Sequence, residues 1–347
     1  LEKVYRIERP DVFMFLMEPW NIIEYVRNLR AGLGSRPKIV AYSVVDGENM
    51  KGDHADWLSQ CDVTIFPTAF ACEQAKKAGY HGYAFEIPHG VNPMLYRPCD
   101  KQWARKQIGL GNLCDPDAFI VGNVNMNQPR KRIDISVEAF ALFLEKAGRP
   151  KEPLLYLHMR RNEAEGWDIG NLAKMFDVRG RITVTADELQ ISESNMRYIY
   201  NSMDMQISTT SGEGWGLGTL ESMACGVPNI VPDFAALGEW AKPACITVPA
   251  TERVIMSKQQ NVVRYVPKAE DMAEAMLELY NNSDLRTQLS KMGRRHALQD
   301  CYRWSVISAG FDEALRKAIE SKGMSGTLRH EPVPVGPSGA PLAQEQR

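Results

Sequence analysis

The sequence predicts an α/β protein built from two doubly wound parallel domains, and three observations carry that expectation. Short apolar runs alternate with polar stretches of helical spacing along most of the chain, as strands covered on both faces by helices require. At 347 residues the chain exceeds the size at which one hydrophobic core usually stops growing. A break over residues 98–116, with Pro98, Gly109, Gly111 and Pro116 around a short helical stretch, splits the pattern into two runs.

The elements follow in order. Residues 1–10 read as the end of a helix already under way, so the chain is expected to lack its natural beginning. Strands are predicted over 11–17, 38–45, 62–66 and 83–87, with helices over 22–33, 53–59 and 69–78 between them. Residues 88–93, where Pro88 and Pro93 enclose His89 and Gly90, end regular structure and offer a loop at a strand's C-terminal edge. The second run has strands over 118–122, 154–159, 182–185, 205–208 and 229–231, and helices over 133–146, 169–176, 193–201 and 217–225. Helical spacing returns over 271–280, 284–298 and 304–319. Beyond Ser321 the chain gains Gly, Pro and Ser, so 321–347 is expected to be a flexible tail. The domain division is therefore 1–110, 111–300, a helical segment over 301–320, and the tail.

Composition removes several function classes. Lys plus Arg number 41 against 43 Asp plus Glu, a formal charge of -2, so no global basic field gathers nucleic acid. The seven cysteines are odd in number and lack a CxxC pair, which favours a reducing compartment over a disulfide framework or a structural zinc site. No apolar run approaches about 20 residues and no signal peptide opens the chain, so a cytoplasmic protein without a membrane span is expected.

Chemistry concentrates in residues 211–228. Gly212, Gly214, Gly216 and Gly218 surround Glu213, and Glu221 falls about one turn into a helix that starts at Leu217. Glycines permit close backbone approach, and a helix N-terminus attracts phosphate. The two carboxylates suit separate sugar hydroxyls; the plainer reading leaves Glu213 in solvent and Glu221 as a first-turn carboxylate favoured by the helix dipole. Arg130, Lys131 and Arg132 stand at a loop-to-helix junction, either as a solvated face or as cations that neutralise a diphosphate leaving group.

Other candidates keep two readings. Asp46, before Gly47, is a turn former or a residue that orients an acceptor hydroxyl or the transferred sugar. His89 is a loop histidine or a ligand contact, Gly90 could turn an amide toward the cleft, and His81 with His89 does not complete a metal set. Thr185 is a strand exit or borders a base pocket through its backbone; Trp215 stacks on a ligand or packs its loop, while Trp167 and Trp304 read as packing residues.

Taken together, residues 87–92 with 96–98, residues 122–134 and residues 213–228 resemble the retaining, nucleotide-sugar-dependent glycosyltransferases of family 4. That family adopts the GT-B architecture, two Rossmann-like domains facing a central cleft, and the resemblance covers most of residues 10–280. It implies that Glu213 lies beside the donor sugar, that Glu221 holds ribose hydroxyls and that Lys131 binds phosphate. Gly216, Leu217, Gly218, Thr219 and Leu220 stand at the helix start beside the diphosphate, with Asn125, Thr185 and Gly90 as further nucleotide contacts. The segment over 301–320 is similar to the one that crosses back onto the N-terminal domain, where closure excludes water.

The chain departs from the family at three places. Asn123 or Asn125 replaces the usual arginine near the start of the phosphate loop, with Arg130 as its substitute. Val45 stands where many relatives carry histidine before Asp46. The first half of the N-terminal domain is expected before Leu1 or in a companion chain. The implied reaction moves a hexosyl unit from a nucleoside diphosphate sugar to an acceptor hydroxyl with retention. No cofactor beyond that donor is implied, and no metal ligand set, since an Asp-x-Asp motif does not accompany the site. A noncatalytic sugar-nucleotide or carbohydrate-binding assembly protein, a sugar-nucleotide epimerase and a phosphorylase are the alternatives. No motif selects the donor base, the sugar or the acceptor.

Overall fold

The computed structural model describes residues 1–33, 37–112, 114–185, 191–256 and 261–321, and in it the chain forms two separate sheets with helices on both faces. The expected tail lies, beyond Ser321, outside the described residues.

The first sheet is laid down by α1 (Glu2–Glu8), β1 (Val12–Met17), α2 (Pro19–Leu33), β2 (Lys38–Ser43), α3 (Gly52–Ser59), β3 (Val63–Phe66), α4 (Ala69–Lys77) and β4 (Ala84–Glu86). Its four strands are parallel and adjacent in sequence order. Ile22, Val26 and Leu29 recur at helical spacing on α2 and bury one face of the sheet together with Ala55, Leu58, Ala71 and Ala75.

The second sheet begins after α5 (Lys101–Gln107) and contains β5 (Phe119–Val124), α6 (Ile133–Lys146), β6 (Pro153–His158), α7 (Ile169–Met175), β7 (Ile182–Val184), α8 (Glu193–Asn201), β8 (Met205–Ile207), α9 (Leu217–Ala224), β9 (Asn229–Asp233), β10 (Ile246–Met256) and β11 (Val262–Pro267). Then come α10 (Ala269–Asn281), α11 (Ser283–Ala297) and α12 (Trp304–Glu320). Thr68, Asp100, Asp168 and Asn282 each cap a helix by accepting a first-turn amide. Such caps contribute about 1 kcal/mol each.

The strand order is β11-β10-β9-β8-β5-β6-β7. From β5 the chain winds outward through β6 and β7, then returns to β8 on the other side and winds through β9. The crevice between the C-terminal ends of β5 and β8 is therefore a topological switch point, where doubly wound sheets hold ligands.

The periodic segments appear close to their expected places. The hairpin β10–β11 was not expected, and it makes the edge of the second sheet antiparallel. Pro249, Glu252 and Arg253 interrupt the apolar alternation there, and β10 changes partner midway. Residues 246–249 pair with β9, whereas the strand beyond a register shift at Ala250 to Glu252 pairs with β11.

Two segments cross between the halves. Ile307, Ala314 and Ala318 of α12 cover the first sheet against Val40, Val63, Ile65 and Phe85. Ala104 of α5 shares its core with Ile120 and Tyr200 of the second half. Among the described residues no helix is long and apolar enough to cross a membrane.

Arg105, 2% exposed, anchors α5. It donates to the carbonyl oxygens of Pro116 (2.7 Å), Ala118 (2.8 Å) and Ser202 (3.0 Å) and to the Asp204 carboxylate at 3.1 Å. Removing one partner of such a buried network leaves charge and carbonyls unpaired, at a cost of about 3–5 kcal/mol. Arg105→Met is expected to lose stability in that range, read from urea unfolding. An unchanged midpoint would show that α5 is held by apolar packing alone.

Candidate functional site

A cleft of about 710 Å³ opens at the switch point and is walled on its far side by loops of the first sheet. Its volume lies within the roughly 300–1,000 Å³ usual for small-molecule sites.

Two loops of the second half build its floor. After β5 the chain makes a tight turn over Pro129–Lys131, and Arg132 takes a left-handed conformation, φ 50°, to start α6. After β8 the chain runs beside that turn. The Ser211 amide donates to Arg130 O at 2.9 Å, and the Thr209 hydroxyl donates to Arg132 O at 2.8 Å. Lys131 and Glu213 thereby face one another and form a buried ion pair, with residues 9% and 8% exposed. Arg130 reaches the other Glu213 oxygen at 3.2 Å and donates to Gly212 O at 2.6 Å.

Electrostatics fix the charge state of this cluster. Burial acts to raise the Glu213 carboxyl, but Lys131 and Arg130 outweigh it and hold the group down at about 2. Burial lowers Lys131, against the opposing pull of Glu213. Glu213 is thus a permanent carboxylate, buried with the cations that stabilise it.

Asp46 enters from the first half and lies 3.5 Å from Arg130 Nε. Its main partner is Arg264 of β11, fully buried, whose guanidinium donates to both carboxylate oxygens at 2.7 and 2.8 Å. Asp46 lines the cleft.

Only one of the four glycines is needed for its backbone angle. Gly216, φ +96°, opens α9, and a side chain there would meet Leu237. Gly212 and Gly214 instead admit the other half of the molecule, since an added Cβ would overlap Asp46 O at the first and lie 2.7 Å from Val44 Cβ at the second. Two of the four glycines expected to admit a ligand admit the other half of the molecule.

Leu217, Gly218 and Thr219, the first turn of α9, line the cleft beside Val124 and Asn125. Glu221 lies one turn further along, also on the wall, and accepts the Tyr200 hydroxyl at 2.6 Å. Burial raises its carboxyl, while Tyr200 and Tyr96 oppose the rise. Leu220 is fully buried in the core behind. Gly90 faces α12, where an added Cβ would lie 2.7 Å from Ile307. The Thr185 hydroxyl lies 2.8 Å from Nδ1 of His158 and 2.9 Å from the Tyr156 hydroxyl, and His158 rather than Thr185 reaches the cleft wall.

Trp215 packs its loop. It stacks on Trp240 at 4.9 Å, and Trp240 Nε1 donates to Trp215 O at 2.7 Å. His89 meets the edge of Trp215 and, being buried, titrates near 4, so it is neutral. Arg264, Tyr200 and His158 were missed in the sequence. Arg264 lies in the unforeseen hairpin, whereas Tyr200 and His158 sit where a helix and a strand were expected and carried no motif.

The model of the "Family 4 Glycosyltransferase in conflict systems" matches residues 87–311. A D-inositol 3-phosphate glycosyltransferase of Thermobispora bispora is 24% identical over 322 residues, 92% of this chain and 68% of that protein. One from Rhodococcus erythropolis is 24% identical over 236 residues, covering 67% of this chain and 48% of the relative. Sucrose-phosphate synthase from Thermosynechococcus elongatus superposes with a TM-score of 0.73 at 18% identity, over 91% of this chain and 75% of that one. Anabaena HepE, solved in complex with UDP and glucose, gives 0.69 at 14% identity over 91% and 80%. These likenesses place the chain in the GT-B fold and favour neither the noncatalytic nor the epimerase alternative. The matched residues are most of the chain, which therefore belongs to the family 4 glycosyltransferases of conflict systems, enzymes of sugar transfer.

Proposed function

We propose that the chain moves a hexosyl unit from a nucleoside diphosphate sugar to an acceptor hydroxyl, with retention at the anomeric carbon. The observation that carries this reading is the buried Lys131–Glu213–Arg130 cluster at the switch-point crevice, with Glu221 one helical turn away. A uridine donor is put first, because HepE was solved with UDP-glucose.

Lys131, Arg130 and the first turn of α9 take the diphosphate, whose negative charge grows as its bond to the sugar carbon breaks. The acceptor oxygen bonds to that carbon on the same face, and its proton passes to the departing diphosphate oxygen. Glu213, ionised throughout the neutral range, accepts hydrogen bonds from sugar hydroxyls and is not a proton donor. Glu221, with one oxygen held by Tyr200, offers the other to the ribose. Asp46 faces the reacting centre from the opposite wall.

Incubation with a panel of nucleotide sugars, with product and anomeric configuration identified, tests the reading. Lys131→Ala and Glu213→Ala are each expected to lower turnover about 10²–10³-fold. Glu221→Gln is expected to act mainly on KM. Donor-dependent product that survives both alanine substitutions would sink the assignment.

Glu213 also sets an acid limit on stability. Its folded value of about 2 lies below the ordinary 4.5, so the unfolded chain binds the extra proton between these values. The stabilisation is complete above about 4.5 and is lost as pH falls toward 2. The difference in urea midpoint between the wild type and Glu213→Gln is therefore expected to narrow from about pH 5 to about pH 3. A gap that stays constant across that range would contradict the ion pair.

A further inference from the structure

The hairpin β10–β11 leaves the edge of the second sheet and docks on the first half of the molecule. Val263 exchanges backbone hydrogen bonds with Glu48, at 2.8 and 3.1 Å, and the Asn49 side chain donates to Asn261 O at 3.2 Å. The fit is close, since an added Cβ on Gly47 would lie 2.5 Å from Val262 and 2.7 Å from Val263 O. The hairpin also contacts the catalytic loop, through the Tyr265 amide on Ser211 O at 3.3 Å. Backbone pairing and apolar contact already dock this hairpin, so a fully buried arginine at 264 needs another reason. A buried ion pair is often no more stabilising than apolar residues of the same size.

The reason lies in what Arg264 does to Asp46. The carboxylate stands between two guanidinium groups. Arg264 holds both of its oxygens within 2.8 Å, while Arg130 approaches only to 3.5 Å. Without Arg264, Asp46 would turn to Arg130 and draw it away from Glu213. With Arg264 in place, Arg130 stays with the donor-side cluster, and Asp46, which accepts three bonds from Arg264, keeps about one of its roughly four acceptor sites for a hydroxyl in the cleft.

We propose that Arg264 is a positioning residue for sugar transfer, which presents the Asp46 carboxylate to a sugar-type hydroxyl at the reacting centre when the two halves are closed. The inference rests on the donor reading given above. The hydroxyl belongs either to the transferred sugar or to the acceptor, and the two give different results.

The test compares wild type, Arg264→Lys, Arg264→Met, Asp46→Asn and the double variant D46N/R264M. The measurements are thermal midpoint, affinity for UDP and for UDP-glucose, and release of UDP from UDP-glucose with acceptors supplied. Each single neutral variant removes one partner of the buried Arg264–Asp46 pair and is expected to lose stability, which the double variant recovers. Arg264→Lys keeps the charge without the two-pronged grip, so it is expected to fall short in function while folding. UDP affinity is expected to stay within about threefold in Asp46→Asn and in the double variant, where no Asp46 carboxylate draws Arg130 away from the diphosphate site. If the hydroxyl is on the donor, preference for UDP-glucose over UDP falls in the double variant. If it is on the acceptor, that preference persists and UDP release drops about 100-fold, as a misplaced group near the reacting atoms can cause. A double variant with wild-type stability, donor preference and UDP release would overturn the inference alone and make the pair a strut. A wild type that binds no UDP sugar would overturn the donor reading and this inference with it.

Discussion

A line of alternating charge, Lys131, Glu213, Arg130, Asp46 and Arg264, crosses the boundary between the two halves, and burying it is the constraint that organises the rest of the molecule. Each ion alone would cost several kcal/mol to take from water. Together they offset one another's desolvation, so the buried line is favourable only while its members stay in place. Assembly of the site and closure of the two halves are consequently one event. Three cations stand against two carboxylates along the line itself, with Arg264 fully buried behind the cleft wall.

The local chain conformation serves that line. The tight turn over Pro129–Lys131 and the left-handed Arg132 bring two consecutive cations to the crevice before α6 begins. The loop after β8 lies against the turn because backbone and hydroxyl groups of Thr209 and Ser211 bond to it. Gly212 and Gly214 let the opposite half come into contact. Any side chain at these two glycines would hold the halves apart and separate Asp46 from Arg130, so the glycines act on the electrostatics through distance.

What could be read from the sequence was whatever repeats locally. Strand and helix periods in both halves, the loop-to-helix cations and the two glutamates were visible because each has a short-range pattern. Which residues those groups would meet was not visible. Nothing local tells that Lys131 pairs with Glu213 rather than waiting free for phosphate, or that Tyr200 holds Glu221, since both contacts are made by the fold. Thr185 and Gly90 follow strands in the sequence, and the structure puts His158 and α12 beside them. The hairpin escaped because β10 divides its pairing between a parallel and an antiparallel neighbour, which blurs the alternation a single environment would impose.

The departure at Val45 follows from the same long-range contacts. A valine where many relatives carry histidine reads, in isolation, as a weakened acceptor side. In the fold, Val45 is buried in the core beneath α2 and α3, packed with residues such as Ala55 and Leu58. Histidines do reach the cleft wall, but they are His89 and His158, delivered from other segments and neutral because they are buried. The carboxylate at Asp46 also needs no orienting neighbour in sequence, since Arg264 grips both of its oxygens from the other half. The partner of Asp46 at this wall is a spatial neighbour rather than a sequence neighbour, so the chemistry of the wall depends on how the two halves meet.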